Sequence, residues 1–299
     1  MKIFSGTSNK PLAEKVALKL NTKLSPLDIF VFPDGEKRVR VIDNVVDEET
    51  VIIQSTSNPA DHNYMEIFFI ADALKRSGAK SITAVIPYLG YQRQDHVFRD
   101  GEAVSLEVII ETLQAVGVSK IITLDVHSIK IPCLFKIPII HISALDLFAK
   151  KIKELPKKES VLVSPDMGGI RRIKILSKNL DNMPFSTIEK ERDLETGSVS
   201  AKTINGEVRG KRAIIVDDMI STGGTILTAT NLLLQKGADE IYVFASHPVF
   251  SGNAKEVLEK VKAEKIFVTD SIYLEKEKYF KNLEVISVTD IIAGSLVKS

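Results

Sequence analysis

The chain has 299 residues, 44% of them hydrophobic, with 40 Lys and Arg against 39 Asp and Glu, which suits one large or two mid-sized domains with real cores. A net charge of +1 argues against a nucleic-acid surface, and the single Cys133 excludes an intrachain disulfide framework. No apolar run approaches the roughly 20 residues of a membrane span, and Met1-Lys2-Ile3-Phe4-Ser5 is too short for a signal peptide's apolar region, so a cytoplasmic protein without membrane or nucleic-acid partners is expected.

Lys2-Ile3-Phe4 reads as a first strand, and Pro11 opens a helix over 11–20 with Ala13, Val16, Ala17 and Leu20 on one face. Ile29-Phe30-Val31-Phe32 is a strand that ends in the turn signal Pro33-Asp34-Gly35-Glu36. Val39 and Val41 alternate with Arg40 beyond it, which predicts a hairpin. Val51-Ile52-Ile53 is a buried type of strand, and 64–76 is a helix that stops at Gly78. A unit then repeats: Gly78 precedes Ile82, Gly117 precedes Ile121 and Gly237 precedes Ile241 by the same four residues. Each Gly ends a helix, and each Ile opens an apolar strand. Alternating helices and apolar strands predict βαβ units, hence parallel sheets with helices on both faces. Such units on either side of the chain's middle predict two similar α/β domains, 1–141 and 142–286. A last helix runs over 290–297, within a C-terminal piece 287–299.

Ligands of open α/β sheets bind outside the carboxyl ends of the strands. Five predicted strands end in polar clusters. After 82–86 comes Pro87-Tyr88-Leu89-Gly90-Tyr91-Gln92-Arg93-Gln94-Asp95-His96, and after 121–124 comes Asp125-Val126-His127. After 161–163 comes Ser164-Pro165-Asp166-Met167-Gly168-Gly169, and after 186–188 comes Glu189-Lys190-Glu191-Arg192. The strand 213–216 runs into Asp217-Asp218-Met219-Ile220-Ser221-Thr222-Gly223-Gly224-Thr225, and a helical pattern begins at Ile226-Leu227. Free N–H groups at such a helix start attract an anion, and the helix dipole adds to this. Gly223 and Gly224 let the backbone approach a phosphate closely, and Ser221, Thr222 and Thr225 add hydroxyl donors. Two carboxylates cannot bind that same phosphate; their partners are sugar hydroxyls or a metal ion. The stretch therefore predicts a phosphorylated sugar. No Gly-x-x-x-x-Gly-Lys-Ser/Thr sequence is present, so a nucleotide is not held by a P-loop.

Asp-Asp before Thr-Gly-Gly-Thr resembles the phosphoribosyl-diphosphate loop of type I phosphoribosyltransferases. Together with Phe32-Pro33-Asp34-Gly35-Glu36, the 87–95 stretch, Asp125-Val126-His127, the 164–169 stretch and His247-Pro248-Val249-Phe250-Ser251-Gly252, the chain resembles the ribose-phosphate pyrophosphokinase family over nearly its whole length. The resemblance implies two tandem phosphoribosyltransferase-like domains, with the last helix packing back on the first. It implies Mg²⁺-dependent transfer of the β,γ-diphosphoryl group of ATP to the anomeric hydroxyl of ribose 5-phosphate, giving AMP and phosphoribosyl diphosphate for nucleotide biosynthesis. It assigns ATP to Phe32, Asp34, Gly35, Glu36, Arg93, Gln94 and Asp95, with the 34–36 turn reaching across a subunit interface. Ribose 5-phosphate falls to Arg192, Asp217, Asp218, Ser221, Thr222, Gly223, Gly224 and Thr225. The metal falls to His127 and Asp166. Lys190 and Arg192 match a Lys-x-Arg that opens a catalytic loop, and the polar run 193–200 suits a lid that excludes water. Self-association follows from the shared adenine site: at least a dimer, with hexamers common in the family. Ser221 stands where the family often has Asp, and His96 where many members have Arg or Lys, which leaves phosphate activation and ADP inhibition open. The rival readings are a phosphoribosyltransferase, which consumes the diphosphate, and a catalytically silent regulatory subunit.

Overall fold

A computed structural model describes residues 1–192 and 199–297, with the backbone alone for 190–192 and 199–202. Its elements fall into two compact units. The first comprises Met1–Ile142, Ser271–Tyr273 and Ser287–Ser299; the second comprises Ser143–Asp270 and Leu274–Ile286.

The first unit opens with β1 (Lys2–Ser5) and α1 (Lys10–Lys19), then the strands β2 (Leu27–Val31), β3 (Lys37–Val41) and β4 (Glu49–Ile53). It continues through α2 (Ala60–Arg76), β5 (Ser81–Ile86), α3 (Ser105–Ala115), β6 (Lys120–Leu124) and β7 (Ile139–Ile142). Its main sheet has the order β1-β4-β5-β6-β7, and each neighbouring pair is parallel. β4, β5 and β6 are almost wholly buried, as expected of strands covered by helices on both faces. β2 and β3 form a separate antiparallel hairpin, with Ile29 opposite Val39 and Phe30 opposite Arg38. Leu27, Ile29, Val39 and Val41 pack on the unit's core, which includes Phe4, Ile52, Tyr64 and Ile67. Phe30 lies on the other face of the ribbon, 44% exposed. The α2 helix begins four residues before the predicted 64. Its first turn, Ala60-Asp61-His62-Asn63, is polar apart from Ala60 and so carries no apolar period, but the Asn63 side chain donates to the Ser57 carbonyl at 2.8 Å and fixes the start.

The second unit holds α4 (Leu145–Lys153), β8 (Ser160–Ser164), α5 (Ile170–Asn179), β9 (Phe185–Arg192), β10 (Val199–Asn205), β11 (Arg212–Ile220) and α6 (Gly224–Gln235). It ends with β12 (Glu240–Pro248), α7 (Ala254–Leu258), β13 (Lys265–Thr269) and β14 (Leu283–Ile286). The sheet order is β10-β9-β8-β11-β12-β13-β14, parallel except for the β9–β10 pair. Val163, Ile215, Val243 and Val268 from its central strands share one core with Ala229 and Leu233 of α6. The helix α8 (Thr289–Val297) then returns to the first unit, where it packs on α1 and Lys19 meets Asp290 at 2.9 Å.

The repeated Gly does the same work three times. Gly78, Gly117 and Gly237 have φ of 84°, 107° and 85°. Each N–H bonds back to the carbonyl of the second-last helical residue, and the next N–H (Ala79, Val118, Ala238) bonds to the residue before that. This paired reverse bonding in a left-handed residue closes the helix and aims the chain at the next strand.

Candidate active site

In the second unit, candidate residues come from the carboxyl ends of neighbouring strands. The β11 strand outlasts the predicted 216 by four residues, because its ladder with β12 continues through Asp217–Ala245 and Met219–His247 to Ile220–Pro248. Asp217 and Asp218 are therefore strand residues, and the loop is reduced to residues 221–223. Ser221 and Ile220 are tied to the segment after β12, since their carbonyls accept the N–H groups of Ser251 and Phe250 at 3.0 and 3.1 Å. Gly223 is the N-cap of α6, with φ of 82° and no side chain to cap the helix. A Cβ there would stand 3.1 Å from the Leu258 side chain, so both conformation and space call for Gly. Thr222, Gly224 and Thr225 are exposed around the start of α6, where uncapped N–H groups and the helix dipole favour an anion.

The acid pair is nearly buried, with side-chain exposures of 15% for Asp217 and 7% for Asp218. Arg172, in the first turns of α5, spans both: its two terminal nitrogens lie 3.5 Å from Asp217 Oδ1 and 3.5 Å from Asp218 Oδ1. Burial and the neighbouring Asp218 push the Asp217 carboxyl well above its ordinary 3.8; Arg172 opposes this and Asp166 adds to it. Asp166 follows β8 and accepts the Gly169 N–H at 3.3 Å, while Ser164 donates to the Asp166 carbonyl at 2.7 Å. Asp218 and Asp166 thus both act on Asp217, and the Arg172 guanidinium spans the pair, an arrangement suited to hydroxyl donors or a cation. Among the described residues no three His, Cys, Asp or Glu side chains converge as a metal cage. The Asp166 carboxylate fits Mg²⁺, which binds through one or two carboxylates and completes its shell with water and substrate phosphate. The sequence reading did not single out Arg172. A basic residue one turn past Gly168-Gly169 was the available signal, but Arg171 stands beside it and spacing alone does not choose between them.

Lys190 and Arg192 lie in β9, paired in register with Ala201 and Val199 of β10. Their side chains, and the predicted lid over 193–198, fall outside the described residues.

In the first unit, the candidate nucleotide residues follow β3's hairpin partner and β5. Phe32, Asp34, Gly35 and Glu36 are all exposed at the hairpin tip. The tip is closed by Phe32 N–H to the Glu36 carbonyl at 2.8 Å and Gly35 N–H to the Phe32 carbonyl at 2.9 Å. Asp34 accepts the Glu36 N–H at 3.1 Å. Arg93 and Gln94 are exposed, and Asp95 pairs with His96 at 2.6 Å. His127 is exposed after β6, and its backbone N–H donates to Gln92 Oε1 at 2.8 Å. Gln92, 1% exposed, thereby joins the 91–95 turn to the His127 segment. His247, given no chemistry from sequence, is fully buried in β12.

Residues 1–117 match the N-terminal domain of ribose phosphate pyrophosphokinase, and residues 133–282 match the phosphoribosyl transferase domain. The chain is 39% identical to the ribose-phosphate pyrophosphokinase of Fusobacterium nucleatum subsp. nucleatum, over 99% of this chain and 94% of that one. The chain belongs to the ribose-phosphate pyrophosphokinase family. Ribose-phosphate pyrophosphokinase 1 of Streptococcus pyogenes serotype M1 is 37% identical over 100% of this chain and 94% of its own. The crystal structure of phosphoribosylpyrophosphate synthetase from Mycobacterium smegmatis superposes with a TM-score of 0.93 at 32% identity, covering 99% of this chain and 97% of that one. The chain is thus an enzyme of the ribose-phosphate pyrophosphokinase family, with that family's two-domain α/β fold. The hairpin and the 91–95 turn fall in the first family segment, and Asp166, Arg172, the acid pair and α6 fall in the second. No helix among the described residues is long and apolar enough to cross a membrane.

Proposed function

We propose that this chain makes phosphoribosyl diphosphate by transferring the diphosphoryl group of ATP to ribose 5-phosphate. The anomeric oxygen of the sugar attacks the β-phosphorus, the bond from that phosphorus to the α,β-bridging oxygen breaks, AMP leaves, and the hydroxyl proton passes to solvent. The observation that carries the reading is the buried acid pair near the end of β11, followed after Ile220 by a short loop and a helix start capped by Gly223. The 5-phosphate takes the N–H groups and hydroxyls of Ser221, Thr222, Gly223, Gly224 and Thr225. Asp217 and Asp218 take the sugar hydroxyls, oriented by Arg172. Phe32, Asp34, Gly35, Glu36, Arg93, Gln94 and Asp95 hold ATP. Lys190 and Arg192 offset charge on the transferred phosphoryls, since such transfers need positioning and charge neutralisation more than covalent help. Asp166 and His127 are each candidate Mg²⁺ ligands, and the ion would supply neutralisation of the diphosphate's charge. The chain works as at least a dimer, with a hexamer the next order, in the cytoplasm. The exposed aromatic pair Phe30 and Phe32, ring centroids 5.0 Å apart at the hairpin, supports both base stacking and self-association.

The test is a phosphorus NMR time course with ATP, ribose 5-phosphate and Mg²⁺, and a control without the sugar. AMP and a ribose-linked diphosphate should appear only when both substrates are present. Release of ADP in their place would mark an ordinary kinase and overturn the proposal.

A further inference from the structure

The hairpin tip is exposed, yet the residue that follows it is not. Lys37 opens β3 with a side chain 4% exposed, and it meets Glu66 on α2, which is 1% exposed. Lys37 Nζ lies 2.5 Å from Glu66 Oε1. The same carboxylate accepts the Thr7 N–H at 2.9 Å, the Thr7 hydroxyl at 2.8 Å and Gln54 Nε2 at 2.8 Å. Gln54 is itself fixed, since its oxygen takes the Ser8 N–H and hydroxyl at 3.0 and 2.9 Å. Glu66 is thus a rigid socket built from the segments after β1 and β4, and Lys37 is the cation seated in it. His62, four residues before Glu66, also touches this pair. Among the described residues the hairpin also rests on the core through the apolar side chains of Leu27, Ile29, Val39 and Val41. Apolar contact is non-directional; a desolvated, charge-assisted bond is not. Beside the tip, the Lys37–Glu66 pair is therefore a directional tie of a kind that the apolar contacts do not supply.

We propose that Lys37 and Glu66 form a positioning clamp, which holds residues 32–36 in the orientation that receives the base of a nucleoside triphosphate. The clamp rests on the assignment of that tip to ATP; neither residue touches the reacting atoms.

The test uses the full chain as wild type, Lys37→Met, Lys37→Arg and Glu66→Gln. The readouts are KM for ATP, KM for ribose 5-phosphate, and calorimetric binding of a non-hydrolysable ATP analogue. Lys37→Met should raise the ATP KM and the analogue Kd roughly 10-fold, because a tip free to swing loses its preorganised contacts. The ribose 5-phosphate KM should stay within about twofold, and Lys37→Arg should restore most of the nucleotide affinity. Should Lys37→Met fail to fold, Glu66→Gln carries the same comparison, and it should weaken the nucleotide alone. An unchanged analogue Kd, or an equal rise in both KM values, would overturn the clamp. Failure of wild type to bind the analogue would remove the ATP assignment and the clamp with it; equal binding by wild type and both uncharged variants would remove the clamp alone.

Discussion

Asp217 carries the tension between function and stability in the smallest compass. Its carboxyl is raised well above 3.8 by burial and by Asp218. A raised value means that folding holds the proton more tightly than the unfolded chain does. The associated stability is complete below the ordinary value and is lost as pH rises through the folded one. Above the folded value the ionised pair therefore costs stability. Asp217→Asn should raise Tm by about 2–4 °C, equivalent to about 1 kcal/mol, while activity falls by orders of magnitude. The gap in Tm from wild type should widen as pH rises above the ordinary 3.8. Arg172→Met removes the guanidinium that spans both acids, and the KM for ribose 5-phosphate should rise at least ~10-fold. Glu66 has the opposite sign. Burial raises its carboxyl, but Lys37 and the two Thr7 donors outweigh burial and leave it below its ordinary 4.5. Its contribution is complete above that value and is lost as pH falls through the folded one. The stability difference between wild type and Glu66→Gln should be flat from pH 8 to pH 6, and should shrink in the acid range; a difference that grew there would reject the assignment. Most of the acid, hydroxyl and Gly residues of the second unit's candidate site lie in one stretch of sequence. Arg172 and Glu66 were not legible in this way, because each acts on residues far along the chain; Glu66 lies 29 positions from Lys37, and no local period pairs them.

The helices and strands were legible where periodicity and a terminator agree. Gly78, Gly117 and Gly237 each marked a helix end, and each adopts the left-handed conformation that such an end requires. Gly237→Ala keeps every helical contact but puts a Cβ on a residue with φ of 85°, 3.2 Å from the Arg209 side chain. It should cost about 1 kcal/mol, read as a lower urea midpoint with an unchanged slope. The β11 end was misread for a physical reason. Two adjacent charges resemble a loop, but a parallel ladder is made by backbone groups, so it continues past Val216 to Ile220 regardless of side chain. The hairpin was legible because Val39 and Val41 alternate with charge and Gly35 turns the chain, with φ of 91°.

At the scale of the molecule, two units each keep their own parallel sheet and their own core. The alternation of helix and strand on both sides of the middle made this organisation readable. The return of residues 271–273 and 287–299 to the first unit was not equally plain, since contacts so distant in sequence leave no local pattern. The first unit is tied to residue 271 by a hydrogen bond from Ser55 to the Ser271 carbonyl. Hydrogen exchange under mild denaturant should accordingly sort peptides by unit and not by chain position. Peptides from α8 should exchange in step with α1 and β7, whereas peptides from β13 and β14 should follow the second unit. Exchange of α8 with its sequence neighbours in β14 would contradict that division.

The packing of α8 on α1 has a bearing on how the chain is made. Synthesis delivers the N-terminal sheet first, but the helix that covers α1 is translated only after the whole second unit. Ile292 and Ala293, buried in the finished fold, are still unmade when β1 to β7 have left the ribosome. The unit born first is therefore completed last. For most of translation the face of α1 that α8 covers lacks its partner.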